Sequence, residues 1–195
     1  MPLTVLDPTP ALIVVDLQKG VGGPRLPFYS TVVENSALLA ARFRAHGLPV
    51  VLVNVAGGAP GRTDDKQRRD GTRSPRAEDW TELLDELGAA EGDIRITKRT
   101  WGAFHGTGLA EALGARGVTQ VVVTGVATSI GVESTARAAH EHGLHVVLAV
   151  DAMTDPRAEA HRNSLARIFP RLGETASTAD VLAMLEARAV RAGEA

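Results

Sequence analysis

Residues 118–143, VTQVVVTGVATSIGVESTARAAHEHG, decide the fold. The Val-rich run at 118–123 is short and continuous, the pattern of a strand buried on both faces. A segment with helical spacing follows at 129–142 and stops at Gly143, a residue suited to a helix C-terminus. A second apolar run, 145–150, begins two residues later. Strand, helix and strand in that order form a βαβ unit, whose right-handed crossover makes the two strands parallel.

The same alternation extends outward in both directions. Apolar runs at 11–15, 49–55 and, more weakly, 94–97 predict further strands, and helical spacing recurs at 31–45, 79–87, 109–116 and 158–168. Gly47 and Gly117 stop two of these helices. A short strand is expected at 173–175, and Ser177 is an N-cap candidate for a last helix over ADVLAMLEARA. The sum is an α/β domain with a mostly parallel sheet. Neither an internal repeat nor a domain boundary interrupts it, so residues 1–195 read as one domain.

Composition narrows the function. Against 23 Asp+Glu stand 21 Lys+Arg, a net charge of −2, which offers no large single-sign field to nucleic acid or to an anionic membrane. Hydrophobic residues at 44% are enough for a sizeable core. There is no Cys, which excludes a disulfide scaffold, a thiolate metal site and a cysteine nucleophile. MPLTVLDPTP has no basic and apolar leader, and no run approaches the roughly 20 apolar residues of a membrane span, so a cytoplasmic location is expected.

In parallel sheets ligands sit outside the carboxyl ends of the strands, which here points to Asp16, Asn54, Lys98, residues 125–131 and Asp151. An Asp closing a strand is ordinarily a turn former. Asp16 and Lys98, however, would come from different strands of one sheet edge, where a buried carboxylate beside an ammonium is tuned for proton transfer.

ALIVVDLQ (11–18), KRTWGAF (98–104), TGVATSIGVESTARAAHEHG (124–143) and DAMTD (151–155) together resemble the isochorismatase-like hydrolases, or cysteine hydrolase superfamily. The resemblance covers nearly the whole chain and implies a Rossmann-like three-layer α/β/α sandwich with a six-stranded sheet. It also implies a catalytic set of Asp16, Lys98 and a third position, usually Cys, at the start of the helix after the fourth strand. Here that position is Gly131. The true isochorismatases also carry Gly there, and their reaction needs no protein nucleophile: an acid protonates the vinyl ether carbon and water adds to the resulting cation. Asp16 would be that acid, with Lys98 orienting it and binding a substrate carboxylate. The helix N-terminus at residues 129–132 would offer backbone N–H groups to an anion, closer in because Gly131 has no side chain, with Val126, Ala127 and Ile130 beside it as substrate-binding residues. A non-proline cis peptide is implied at Val126–Ala127, no cofactor is required, and a homo-oligomer, dimer or tetramer, is expected.

Other residues complete the expected pocket. Arg62 opens the polar stretch RTDDKQRRDGTRSPR (62–76), with six basic residues against three acidic, which reads as a solvated loop or as a lid lending arginines to a carboxylated substrate. Trp101 and Phe104 would either pack a helix start or line the pocket, and Phe28 would close it from the other side. Nicotinamidases of the family carry an Asp and two His after the second strand; NVAGGAPGRTDDKQRRDG (54–71) has no His, so no metal site is expected. His140, His142 and His145 cluster around a helix end, and His105 remains a pocket candidate. Two alternatives stay open. Gly131 is equally consistent with a non-catalytic binder or scaffold on the same fold. Thr128, Ser129 or Ser134 could stand in as an amidase nucleophile, although no neighbouring His base is apparent from the sequence.

Overall fold

The computed structural model describes residues 3–59, 61–64 and 76–193. The sheet has six strands: β1 (Pro10–Val15), β2 (Val50–Val55), β3 (Ile94–Lys98), β4 (Gln120–Val126), β5 (His145–Thr154) and β6 (Glu174–Ala176). Their spatial order is β3-β2-β1-β4-β5-β6, and every neighbouring pair is parallel.

Strand alternation divides the core into two layers. On one side Leu12, Val14, Leu52, Val122 and Val126 pack under α1 (Tyr29–Ala45), through Leu39 and Phe43, and under Val181 and Leu185 of the C-terminal helix Thr178–Gly193. On the other, Ile13, Val15, Val51, Val53, Val121 and Val123 meet α2 (Leu109–Gly114) and α3 (Glu133–Glu141). The helix Ala158–Asn163 is α4, and the C-terminal helix is α5. Burial of both faces explains why the strands read as unbroken apolar runs. The result is the three-layer α/β/α sandwich that the sequence predicts.

Strand order reverses between β1 and β4, which opens the crevice where ligands bind in such sheets. Gly125 lets the two strand ends close up: its φ is +111°, and a Cβ there would lie 2.0 Å from the Val15 carbonyl oxygen. No helix among the described residues is long and apolar enough to cross a membrane.

Three helix expectations are corrected. Residues 79–87 form turns and a single 3₁₀ turn at Asp85–Leu87. Extended contacts with the chain after β1 compete successfully with helix there: Lys19 N–H donates to the Glu82 carbonyl, Gly20 N–H to Trp80, and Leu84 N–H to Leu17. The predicted helix 129–142 opens instead as a wide π turn, Thr128–Val132, and becomes α-helical only at Glu133. The helix predicted at 158–168 divides likewise into α4 and a π turn, Ser164–Ile168. The last helix starts as expected, with Ser177 and Asp180 exchanging reciprocal capping bonds.

Candidate active site

Asp16 is the first residue past β1. Its backbone N–H extends the ladder to the Val53 carbonyl, 2.9 Å away, and then turns the chain with a left-handed φ of +52°, a conformation Asp tolerates better than most residues. Gln18, fully buried two residues on, fastens this turn: Val55 N–H donates to its side-chain oxygen, and its amide donates to the Val55 and Trp80 carbonyls. The sequence motif contains Gln18 without revealing that role.

Lys98, the last residue of β3, reaches Asp16 across the sheet edge, Nζ to Oδ2 at 2.7 Å. Both side chains are nearly inaccessible, at 2% and 7% exposure. Nζ also donates to the carbonyls of Trp101, at 2.8 Å, and Thr100, at 3.3 Å. An ammonium has three N–H donors, and all three are taken by protein acceptors. Lys98 therefore orients Asp16, with the two carbonyls engaging the rest of its ammonium.

The second Asp16 oxygen, Oδ1, is buried without a hydrogen-bond partner. Burial pushes the Asp16 carboxyl up from 3.8 to about 6, against the opposing charge and hydrogen bond of Lys98. Desolvation outweighs the ion pair, so the group titrates close to neutrality.

The turn after β4 completes the site. The Val126–Ala127 peptide is cis, as the family resemblance implies. Gly131 is buried in the π turn, and a Cβ built on it would lie 3.0 Å from Val15 Cγ1, 3.1 Å from Asp16 Oδ2 and 3.1 Å from the Val126 carbonyl oxygen. Less than a methyl group's room thus separates Gly131 from the Asp16 carboxylate. Thr135 Oγ1 donates to the Gly131 carbonyl at 2.7 Å and accepts from Ala103 N–H at 3.1 Å, tying the loop after β3 to the turn.

Two residues with no sequence assignment hold the same turn. Asp155 Oδ2 accepts from Ser129 N–H and Oγ–H at 2.8 and 2.7 Å. Thr128 Oγ1 lies 2.9 Å from His161 Nδ1. Burial holds the His161 imidazole below its usual range, opposed by Asp155 and reinforced by Arg162. This arrangement bears on the substitute nucleophiles. The hydroxyl with a His partner is Thr128, whose side chain is fully buried, whereas Ser129 is bound to a carboxylate. Neither makes an accessible nucleophile–base pair.

The remaining predicted site residues divide. Phe28, at the start of α1, is 82% exposed, Trp101 is 63% exposed and Ile130 is exposed beside Gly131. Val126 is buried and Ala127 half-buried. Phe104 departs from the expectation of a pocket wall. It is buried in the core layer under α2 and α3, with its ring 5.1 Å from that of His142, because the residues after Trp101 turn inward to cover Leu109 and Leu113. Arg62 is exposed on the segment after β2 and bonds to neither Asp16 nor Lys98; most of the predicted lid, residues 65–75, lies outside the described residues. His105, His140, His142 and His145 are exposed. Among the described residues no group of three or more His, Cys, Asp or Glu could hold a metal ion.

The isochorismatase domain model matches residues 10–180. Over 180 residues the chain is 43% identical to the uncharacterized isochorismatase family protein YecD of Escherichia coli O157:H7, covering 89% of this chain and 95% of that protein. It is 27% identical over 190 residues to a maleamate amidohydrolase of Pseudomonas putida, covering 90% and 86%. Among solved structures, an isochorismatase family protein from Burkholderia thailandensis superposes with a TM-score of 0.84 at 40% identity, covering 93% of this chain and 98% of that one.

Proposed function

This chain belongs to the isochorismatase family, and on that premise we propose that it is a hydrolase that cleaves the vinyl ether of a small carboxylated substrate such as isochorismate, with Asp16 as general acid. The observation that carries the reading is the state of Asp16: buried, lifted to about 6, one oxygen fixed by Lys98 and the other without a partner. An acid poised near the working pH transfers a proton most effectively.

The steps balance without a covalent enzyme intermediate. Asp16 gives its proton to the terminal methylene carbon, leaving an oxocarbenium ion. Water adds to that cation and its released proton returns to the Asp16 carboxylate. The hemiketal then breaks its carbon–oxygen bond to give pyruvate and an alcohol. Lys98 keeps Oδ2 in place throughout, and its charge steadies the carboxylate that forms. Gly131 supplies no nucleophile, and its backbone faces the acid. Recognition of the substrate carboxylate falls to Arg62 and to the backbone N–H groups of the Thr128–Val132 turn other than those of Ser129, Ile130 and Val132, which donate to Asp155 and to the Ala127 carbonyl. Phe28, Trp101 and Ile130, all exposed, would offer apolar contacts to the substrate, and the chain would act as a homo-oligomer.

Likeness to a maleamate amidohydrolase favours a second reading, amide hydrolysis in which Asp16 acts as a base toward water. The direction of the pH–rate profile separates the two. With isochorismate as substrate and pyruvate read by a coupled dehydrogenase, kcat/KM for an acid of pKa about 6 declines roughly tenfold per pH unit above that value. A base gives the opposite limb. Asp16→Asn, which removes the transferable proton, should lose roughly 10²–10⁴-fold in rate. Absence of pyruvate release, or a rate that holds or rises above pH 6, overturns the ether-cleaving acid.

A further inference from the structure

The motif DAMTD supplies two aspartates that do the same chemistry at two different places. Asp151 Oδ1 accepts from Thr178 N–H and Oγ–H, at 2.7 and 2.9 Å, and so fixes the start of α5. Asp155 Oδ2 accepts from Ser129 N–H and Oγ–H in the same two-pronged manner, while its Oδ1 accepts from Arg157 N–H at 2.9 Å. Only the second grips the turn on which Gly131 sits. Asp155 is itself 2% exposed, so its carboxylate is committed to these partners.

A second contact comes from one helix further on. His161 of α4 meets the fully buried Thr128 hydroxyl, at the first residue of the same turn. Ser164, just past α4, donates to Glu133 Oε2 at 2.6 Å, at the first residue of α3. The segment after β5 therefore holds the turn at its entry, at its second residue and just beyond its exit. From inside the turn, Gly131 leaves less than a methyl group's room before Asp16 Oδ2.

We propose that Asp155 and His161 are positioning residues, which hold the Thr128–Val132 turn down on Asp16 and so keep water away from the carboxyl. The proposal deepens the reading of Asp16 as the acid and takes its catalytic meaning from it. Its physical content is separate: burial is the largest cause of the raised Asp16 titration, and the turn forms one wall of that burial. If the turn lifts, water solvates the carboxylate and the group becomes an ordinary acid. Neither residue touches substrate in this scheme; each acts through the turn.

The test uses ligand-free full chain, so it stands whether or not the substrate reading survives. The Asp16 midpoint is followed by the ¹³C shift of its carboxyl, and the amides of residues 129–132 by hydrogen exchange, in wild type, Asp155→Ala, His161→Ala and Asp151→Ala. Asp155→Ala and His161→Ala should move the midpoint from about 6 down toward 3.8 and speed exchange across the turn by at least about tenfold. Asp151→Ala removes a matched pair of bonds at α5 and should lower stability with the midpoint still at about 6. Should Asp155→Ala fail to fold, Ser129→Ala and Asp155→Asn, each removing part of the grip, should give the same direction with a smaller shift. An Asp16 midpoint unmoved in the Asp155 and His161 variants overturns the proposal, as does an equal fall in Asp151→Ala.

Discussion

A buried carboxylate paired with an ammonium is ordinarily expected to stabilise a fold as pH rises; at Asp16 the geometry calls for the reverse. The folded carboxyl titrates at about 6 against 3.8 for the unfolded reference. Between those values the folded chain holds a proton that the unfolded chain has released. Stability associated with Asp16 is therefore full below the unfolded pKa and is lost as pH rises through the folded one. A shift of about two units corresponds to about 3 kcal/mol, lost between roughly pH 3 and pH 8, with about half gone by pH 5. Asp16→Asn has no such proton to lose. The stability of Asp16→Asn minus that of wild type should thus climb by about 3 kcal/mol across the window, other titrating groups cancelling in the difference. Urea unfolding at constant ionic strength, at half-unit pH steps and with m-values checked for constancy, measures it. The ¹³C shift of the Asp16 carboxyl must show a midpoint near 6 in the same samples. A difference that is flat, or that falls with pH as a dominant Lys98–Asp16 attraction would require, refutes the reasoning.

Lys98→Met removes both influences that hold Asp16 down, so its midpoint should move above 6 while kcat/KM falls at least about tenfold; a midpoint at or below 6 by NMR titration contradicts the assigned balance. Gly131→Ala puts a methyl 3.1 Å from Asp16 Oδ2 and 3.0 Å from Val15 Cγ1, and should cost roughly 1–3 kcal/mol in thermal unfolding together with a drop in kcat. An unchanged Tm and rate in that variant would place the turn further from Asp16 than the structure does. Activity should withstand strong chelation, because the described residues assemble no metal-ligand set; inactivation by EDTA reversed by a divalent ion would be the contrary result.

Much of this site is legible in the sequence because strand ends mark it. A Val-rich run that stops at Asp16 and a weaker one that stops at Lys98 place two charged groups on one edge once the strands are parallel. What the runs do not encode is how the loops spend their donors and acceptors. That the chain after β3 folds back and offers Lys98 the Thr100 and Trp101 carbonyls is one such detail. Residues 79–87 have helical spacing, yet the backbone pairs with residues 17–20, and tertiary pairing outweighs a weak local preference. Asp155 and Ser129 stand 26 positions apart, and His161 and Thr128 33 apart. Contacts at that separation leave no periodic trace. Phe104 misleads for a related reason: an aromatic beside Trp101 suits a pocket or a core equally, and only the position of α2 decides.

Gly131 and the titration of Asp16 are two aspects of one packing arrangement. The space a side chain at 131 would occupy is bounded by Asp16 Oδ2, a fully buried Val15 side chain and the carbonyl of a buried strand. Oδ2 is held by Lys98 at 2.7 Å. Without that side chain the turn leaves less than a methyl group's room beside the carboxylate. Such close cover removes water from Asp16, and loss of water is the largest cause of its raised pKa. The glycine that deprives the chain of a nucleophile therefore also helps to make its aspartate an acid effective near neutral pH. A side chain restored by Gly131→Cys asks its neighbours to give by only a few tenths of an ångström, so the Lys98–Asp16 bond should survive while the tighter wall lowers kcat.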